Sequence, residues 1–343
     1  MTAPTRCSSR APSAATGNFR ASEIASGSPL GNCAHVSMHH LPFTWPALVA
    51  AASLAGAGTA ACAASLALRQ DASTHTISVY RDGIASPILT QNARPDFRPY
   101  LHPIVAPDGQ GVLTEFSPDH HKHQTGLYWG FTRVNGRDYF HNPANGYWRR
   151  VSFAPIVAQG AEVKWSTVYH LLDAADQAIL AETQIWTMRD RGDRYFLDLE
   201  WKGEGLGDVT VGKYEYGGLF LRMPWRTGME GAAVNSHGQR NNEATGQRAL
   251  WVDVGMKVGG RQDLAHVGIL DHPRNSGHPL PWRVDGQMGI GPCRAIAGDW
   301  HLAKGRTEII RHQIVVYTGA LDDAALAAAW RAYTGNLLPA PSL

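Results

Sequence analysis

Apolar and polar residues alternate with a period of two through the middle of the chain. Val163, Trp165, Thr167, Tyr169 and Leu171 interleave with Glu162, Lys164, Ser166 and His170. Tyr195, Leu197, Leu199 and Trp201 interleave in the same way with Asp198, Glu200 and Lys202. Successive side chains of a strand point to opposite faces, so each run predicts a strand with one face in a core. Leu250, Val252, Val254 and Met256 repeat the signal, and further strands are predicted over 76–81, 100–106, 127–134, 179–188, 209–216, 265–270 and 307–317. Asp82-Gly83, Asp108-Gly109, Asn135-Gly136, Asn145-Gly146 and Asp285-Gly286 separate them, dipeptides suited to the positive φ of tight turns. Many strands joined by short turns predict an all-β fold, a large antiparallel β-sandwich.

Helical spacing occurs convincingly once. Leu326, Trp330 and Tyr333 share one face, Asp322 and Asp323 favour the N-terminus and Gly335 ends the run. This predicts a peripheral C-terminal helix over 322–333, packed on a sheet edge. Residues 226–249 contain almost no large apolar side chain and are predicted as a long polar loop, either a binding loop or lid or a mobile insertion.

The chain has 343 residues, 44% hydrophobic and 17% charged, which supports a folded core and excludes wholesale disorder. Trp45 to Gly58 is apolar and Ala-rich but shorter than the roughly 20 residues of a membrane-spanning helix. It is followed by Ala61-Cys62-Ala63, a small-x-small cleavage pattern. Residues 1–63 are therefore expected to be a disordered leader plus a signal peptide beginning at Met38. Residues 64–343 are expected to form a single β-sandwich domain that is periplasmic or secreted. A lipid anchor on Cys62 is disfavoured, because Thr59 stands where a large aliphatic residue is preferred. Loss of Arg6, Arg10, Arg20 and Glu23 from 31 basic and 29 acidic residues leaves 28 of each. A balanced surface gives no electrostatic footprint for nucleic acid or anionic lipid. Cys293 would be the one remaining cysteine, so no internal disulfide is expected.

Candidate chemistry gathers in four places. The segment Ser117-Pro118-Asp119-His120-His121-Lys122-His123-Gln124 holds three histidines, side chains that exchange protons near neutral pH and also bind metals. In an extended chain His121 and His123 share a face and His120 points away, unless Pro118 turns the backbone. Val211-Gly212-Lys213-Tyr214-Glu215-Tyr216-Gly217-Gly218 sets Lys213 and Glu215 on one strand face and the tyrosines on the other. Its paired glycines predict a bulge that re-aims a neighbour, making Glu215 a candidate general base. Asp271 and His272 end an apolar run, at the rim of a site or in an ordinary turn. Arg98, Tyr100 and His102, with Trp129 in the next strand, would suit a hydroxylated or carboxylated ligand. No Walker loop, dinucleotide fingerprint, G-x-S-x-G elbow or H-E-x-x-H helix occurs.

RPYLHPIVAPDG, PDHHKHQTGLYWGFTRVNGRDYF, VGKYEYGGLFLRMPW, WVDVG and GILDHPRN, in this order between Thr76 and Gly319, resemble the bacterial family labelled methane oxygenase PmoA. Asp119, His120, Lys122, His123, Gln124, Thr125 and Gly126 match that family's Asp-His-Lys-His-Gln-Thr-Gly run, with His121 an extra residue. The label names a membrane oxygenase subunit, whereas this sequence carries no apolar span of bilayer length after the leader. The resemblance implies an exported sandwich protein used in carbohydrate contexts. By analogy with galactose-mutarotase-like sandwiches, it points to a protein acting on a small sugar or oligosaccharide. The expected catalytic residues are His120, His123 and Glu215, and the expected ligand contacts are Arg98, Tyr100, Trp129, Lys213, Arg222, Asp271 and His272. Epimerase, lyase and hydrolase chemistry all fit. A non-catalytic glycan-binding protein is the alternative, and a metal-dependent oxygenase the third. No cofactor is expected, a divalent metal at His120 and His123 being the exception to test.

Overall fold

The computed structural model describes residues 65–335, which fold into two large antiparallel sheets around one core. The nine-stranded sheet runs, in spatial order, through Trp282–Val284, Ile290–Pro292, Gly218–Leu221, Leu127–Gly130, Tyr100–Ile104, Leu89–Asn92, Thr76–Arg81, Leu66–Asp71 and Gln159–Gly160. The eight-stranded sheet orders Gly231–Asn235, Trp251–Met256, Leu264–Asp271, Thr307–Gly319, Arg194–Gly205, Ala178–Asp190, Glu162–Leu172 and Trp148–Val157. Val163, Trp165, Thr167, Tyr169 and Leu171 are buried while the residues between them are partly or fully exposed, as the alternation requires.

The sheets face one another as a sandwich. Trp129 of one stacks on Trp201 of the other at 4.8 Å between ring centroids. Three polar tips reach across: Trp165 Nε1 donates to Gln91 Oε1 at 3.2 Å, Tyr169 Oη to Arg94 O at 2.7 Å and Tyr195 Oη to Val105 O at 2.6 Å. Each bond satisfies a buried polar atom across the two layers and so helps to hold their relative position.

Several elements differ from the sequence expectation. The helix Asp323–Thr334 forms with the predicted caps: Asp322 accepts from Ala325 N–H at 2.9 Å, and Gly335 takes the left-handed conformation at φ 66°. It lies on a sheet face rather than an edge, with Leu326 and Trp330 against Trp251, Leu270, Val315 and Tyr317. The helix covers Trp251, and His266 and Tyr317 cover Asp253, so Trp251–Met256 is buried on both faces. The segment 226–249 is not a free loop. It contains the strand Gly231–Asn235 and a short 3-10 turn, anchored by buried Ala233, Ala244 and Ala249, side chains too small to register as an apolar period. The strand Trp148–Val157 lacks a clean pattern because it is a sheet edge, where Pro155 costs no ladder bond. Strands expected to reach residues 134 and 216 stop at Gly130 and Val211, and both interruptions build the site. The expected leader and signal peptide, residues 1–63, lie outside the described residues. Among the described residues no helix is long and apolar enough to cross a membrane.

Candidate functional site

The histidine segment turns twice. Ser117, at φ 50°, donates its N–H to Gln124 O at 2.7 Å, His121 N–H to Pro118 O at 2.9 Å and Gln124 N–H to His121 O at 3.0 Å. This leaves His120 exposed beside the surface pair Lys122–Asp119 and turns His121 and His123 inward. Fully buried Arg98 locks the arrangement. Its guanidinium donates to His123 O at 2.6 Å and Phe140 O at 2.7 Å and lies 3.7 Å over the Tyr128 ring. Burial lowers Arg98 to about 10, which still leaves it charged at neutral pH.

A second segment arrives by a hairpin. Asn135 and Gly136, at φ 50° and 82°, form the turn, and Val134 and Arg137 exchange backbone hydrogen bonds. Asp138 follows. Its Oδ1 accepts the N–H of Phe140 at 2.9 Å and of His141 at 3.0 Å, and its Oδ2 lies 2.6 Å from His141 Nδ1. A carboxylate only accepts, so the Nδ1 of His141 carries the proton and its Nε2 is free to accept. Tyr216 Oη is 3.2 Å from that Nε2. Tyr216 gets there because Gly217 and Gly218, at φ 139° and 99°, break the strand.

Between these segments lies a cavity of about 110 Å³. His121, His123 and His141 form one side, with His123 and His141 ring centroids 4.4 Å apart. Tyr216, Phe140 and Phe220 supply aromatic surface, and Gln124, Arg283 and Asp285 polar groups. Wider clefts of about 500 and 590 Å³ lie elsewhere, under the C-terminal helix and beside Tyr139 and Tyr147. Neither contains a histidine, and in the first Arg189 and Gln313 are both bound to Asp198.

The protonation states are set by the surroundings. Burial, helped by the nearby His141 and Arg98, holds His123 down to about 3, so its ring is neutral and carries a lone pair at neutral pH. Burial and Arg222 lower His121 as well. Burial and the adjacent Tyr214 raise Tyr216 well above the usual phenol range, so it stays protonated. For Asp138 burial works the other way, but the hydrogen bonds from His141 outweigh it and keep the carboxyl below its ordinary value. The cavity therefore presents a neutral acceptor, His123, and a proton donor, Tyr216, whose partner His141 is oriented by a carboxylate.

The residues singled out from the sequence scatter. His123 lies in the cavity; His120 does not, being turned to solvent. Glu215 is corrected from a cleft carboxylate to a rim residue: its side chain is 76% exposed and contacts Arg283 at 3.4 Å. The glycine irregularity re-aims Tyr216 instead. Lys213 stands with Glu215 outside the cavity. Trp129 is core, and Tyr100 is buried against Phe116 at 5.3 Å. Arg98 and Arg222 are fully buried and hold the cavity wall from behind rather than facing it. Asp271 closes a turn, accepting from His278 Nδ1 at 2.7 Å and Leu280 N–H at 2.9 Å, while His272 meets Tyr333 of the helix at 5.0 Å. Among the described residues no group of three or more His, Cys, Asp or Glu side chains is placed to hold a metal ion. Asp138, His141, Tyr216 and Arg283 were missed; the Asp138-x-x-His141 spacing just after the Asn135-Gly136 turn was the available signal.

One consequence of these burials is measurable. Burial lowers His102, His121, His123, His170, His272 and His312, with His272 at about 4. Unfolded histidine titrates near 6.5, so between that pH and the folded values the unfolded chain binds more protons. Stability is expected to be level above about pH 7 and to fall as the pH drops from about 6.5 toward 4. Urea midpoints across that range should show it, with a shallower fall in His272→Gln. An acid slope unchanged in that variant would contradict the assignment.

Residues 77–331 match the sequence model described as family of unknown function DUF6807, and the chain belongs to that family. No curated protein matches it. Among solved structures it is similar to the GH36 α-galactosidase AgaB of Geobacillus stearothermophilus, at 9% identity and a TM-score of 0.38 over 74% of this chain and 41% of that one. The galactosidase domain of the α-galactosidase-sucrose kinase AgaSK gives 11% and 0.38, over 74% and 42% of the two chains. The Slr1438 protein of Synechocystis gives 9% and 0.30, over 76% and 96%. The chain thus spans about two fifths of the galactosidases it matches.

Proposed function

For this member of the DUF6807 family we propose a carbohydrate-active enzyme that performs acid–base chemistry on one sugar ring, as an epimerase, lyase or hydrolase. The observation that carries the reading is the line from Asp138 through His141 to Tyr216, which ends in a cavity faced by the neutral His123. As the Tyr216 oxygen takes a proton from a sugar hydroxyl, it passes its own to the free Nε2 of His141, and Asp138 stabilises the charge so formed. In the reverse direction His141 returns that proton to Tyr216 as the phenol gives its own to a sugar oxygen. Tyr216 thus never carries a full negative charge, as its raised pKa demands. His123 takes or holds the second proton. At about 110 Å³ the cavity is well below the roughly 300–1,000 Å³ of drug-sized sites, so it suits one ring or its edge.

The test is a panel of mono- and oligosaccharides incubated with the protein in D₂O and followed by NMR. The expected result is cleavage, epimerisation or deuterium uptake in at least one sugar. Binding without any such change, equal in His141→Phe, would replace the enzyme by a non-catalytic glycan-binding protein. The resemblance to the PmoA family and export to the periplasm belong to the same proposal. N-terminal sequencing of protein from a periplasmic fraction is expected to begin near Ala64, and an intact residue 1–63 segment on cytoplasmic protein would end the export reading.

A further inference from the structure

Resting on the carbohydrate reading above, we propose that the substrate is an acidic oligosaccharide built from uronic acid residues. Its reacting ring enters the histidine cavity, and the following residues lie on a second cleft beside it. That cleft, of about 330 Å³, is lined by Arg133, Lys213, Tyr214, Glu215 and Ile296. The two spaces share a wall, because Tyr214 and Tyr216 pack edge to face at 4.9 Å between ring centroids. They also share a contact, since Arg283 of the cavity meets Glu215 of the cleft. A sugar chain leaving the cavity would run along this aromatic wall.

Charge along the path is one-sided. Arg283, Arg133 and Lys213 face it against the single carboxylate of Glu215. Asp285 inside the cavity does not redress the balance, being bound to Arg222 at 2.5 Å and to the N–H groups of Gln287 and Gly289. At the far side Asp299 accepts the Lys213 backbone N–H at 2.6 Å. The local excess is not the by-product of a basic protein, because residues 64–343 hold 28 basic and 28 acidic side chains. Arg133 lies 4.6 Å over the Tyr214 ring and spends one N–H on Lys213 O at 3.3 Å, leaving the rest of its fork for a ligand. Glu215 shows what fits Arg283. A carboxylate already occupies the guanidinium, held by a long, exposed contact that a ligand carboxylate can displace. Carboxylates repeated at ring spacing, with sugar faces on Tyr216 and Tyr214, meet both features together.

The experiment is calorimetric titration of the full chain with trigalacturonate, a neutral galactose trisaccharide, a sulfated trisaccharide and monomeric galacturonate. Trigalacturonate is expected to bind tightest, with affinity falling as salt rises. Arg133→Ser with Lys213→Ser is expected to weaken trigalacturonate about tenfold, with the monomer unaffected and melting unchanged. Equal affinity for the neutral trisaccharide, tighter binding of the sulfated one, or no effect of the double variant would each overturn the proposal. Because the readout is binding, it fails separately from the catalytic reading. Turnover of neutral sugars without acidic binding sinks only this inference, whereas acidic binding without turnover of any sugar sinks only the chemistry.

Discussion

His141→Phe is expected to lower turnover of any sugar identified in the NMR panel by about 10² to 10⁴, with little change in melting temperature. Phenylalanine keeps a flat ring between His123 and Phe140, and Asp138 Oδ1 keeps both of its backbone N–H donors, so the segment retains its shape. What is lost is the proton carrier behind Tyr216. Tyr216→Phe should cost a similar factor, and the double variant scarcely more, since residues acting as one unit are non-additive. Asp138→Asn tests orientation alone. An amide nitrogen facing Nδ1 favours the tautomer with its proton on Nε2, and His141 then cannot accept from Tyr216. Glu215→Gln, by contrast, should change turnover little, as its exposed side chain only meets Arg283. Full activity in Asp138→Asn, or independent additive losses, would show that the three side chains do not work as a line.

The sandwich was legible because its long strands alternate, and alternation is the direct print of a two-sided sheet. The faces of Glu162–Leu172 and Arg194–Gly205 could be assigned residue by residue. Elements without that print were lost: the edge strand with Pro155, and the Ala-anchored strand at 231–235. The site was half legible. A histidine cluster beside Pro118 and a glycine pair beside Tyr216 announce irregular backbone. Which side chain an irregularity delivers depends on φ values that no period encodes. The bulge at Gly217 and Gly218 was expected to re-aim Glu215, whereas the φ values there deliver Tyr216. Arg98 was assigned to a ligand because a guanidinium fork beside aromatic faces suits a hydroxylated or carboxylated group, and Arg222 was grouped with it. Here both are fully buried, and their partners are carbonyls, a glutamine and Asp285 that only the folded chain brings together.

Arg222→Leu is expected to cost about 3–5 kcal/mol of folding stability, the usual loss when one partner of a buried ion pair is removed. Arg222 has no exposed side-chain surface, while that of Asp285 is 15% exposed. The guanidinium donates to Asp285, to Gln124 Oε1 and to Gln287 O, so its loss strands three acceptors at once. Gly289 belongs to the same unit: a Cβ there would sit 2.6 Å from Arg222 Nη2 and 2.5 Å from Asp285 Oδ2, so the turn closes over the pair only with glycine. Adding Asp285→Asn should recover part of the loss, because the uncompensated charge goes while the amide oxygen still accepts from Gln287 and Gly289. Urea denaturation with an unchanged m-value is the measurement. Since Gln124 and Asp285 also line the histidine cavity, ligand affinity should fall with stability in Arg222→Leu and return in part with the second substitution. Removing the exposed Lys122–Asp119 pair should move neither quantity. An Arg222→Leu protein as stable as the parent would mean that the pair's desolvation cost matches its attraction, and that the cavity wall stands without it.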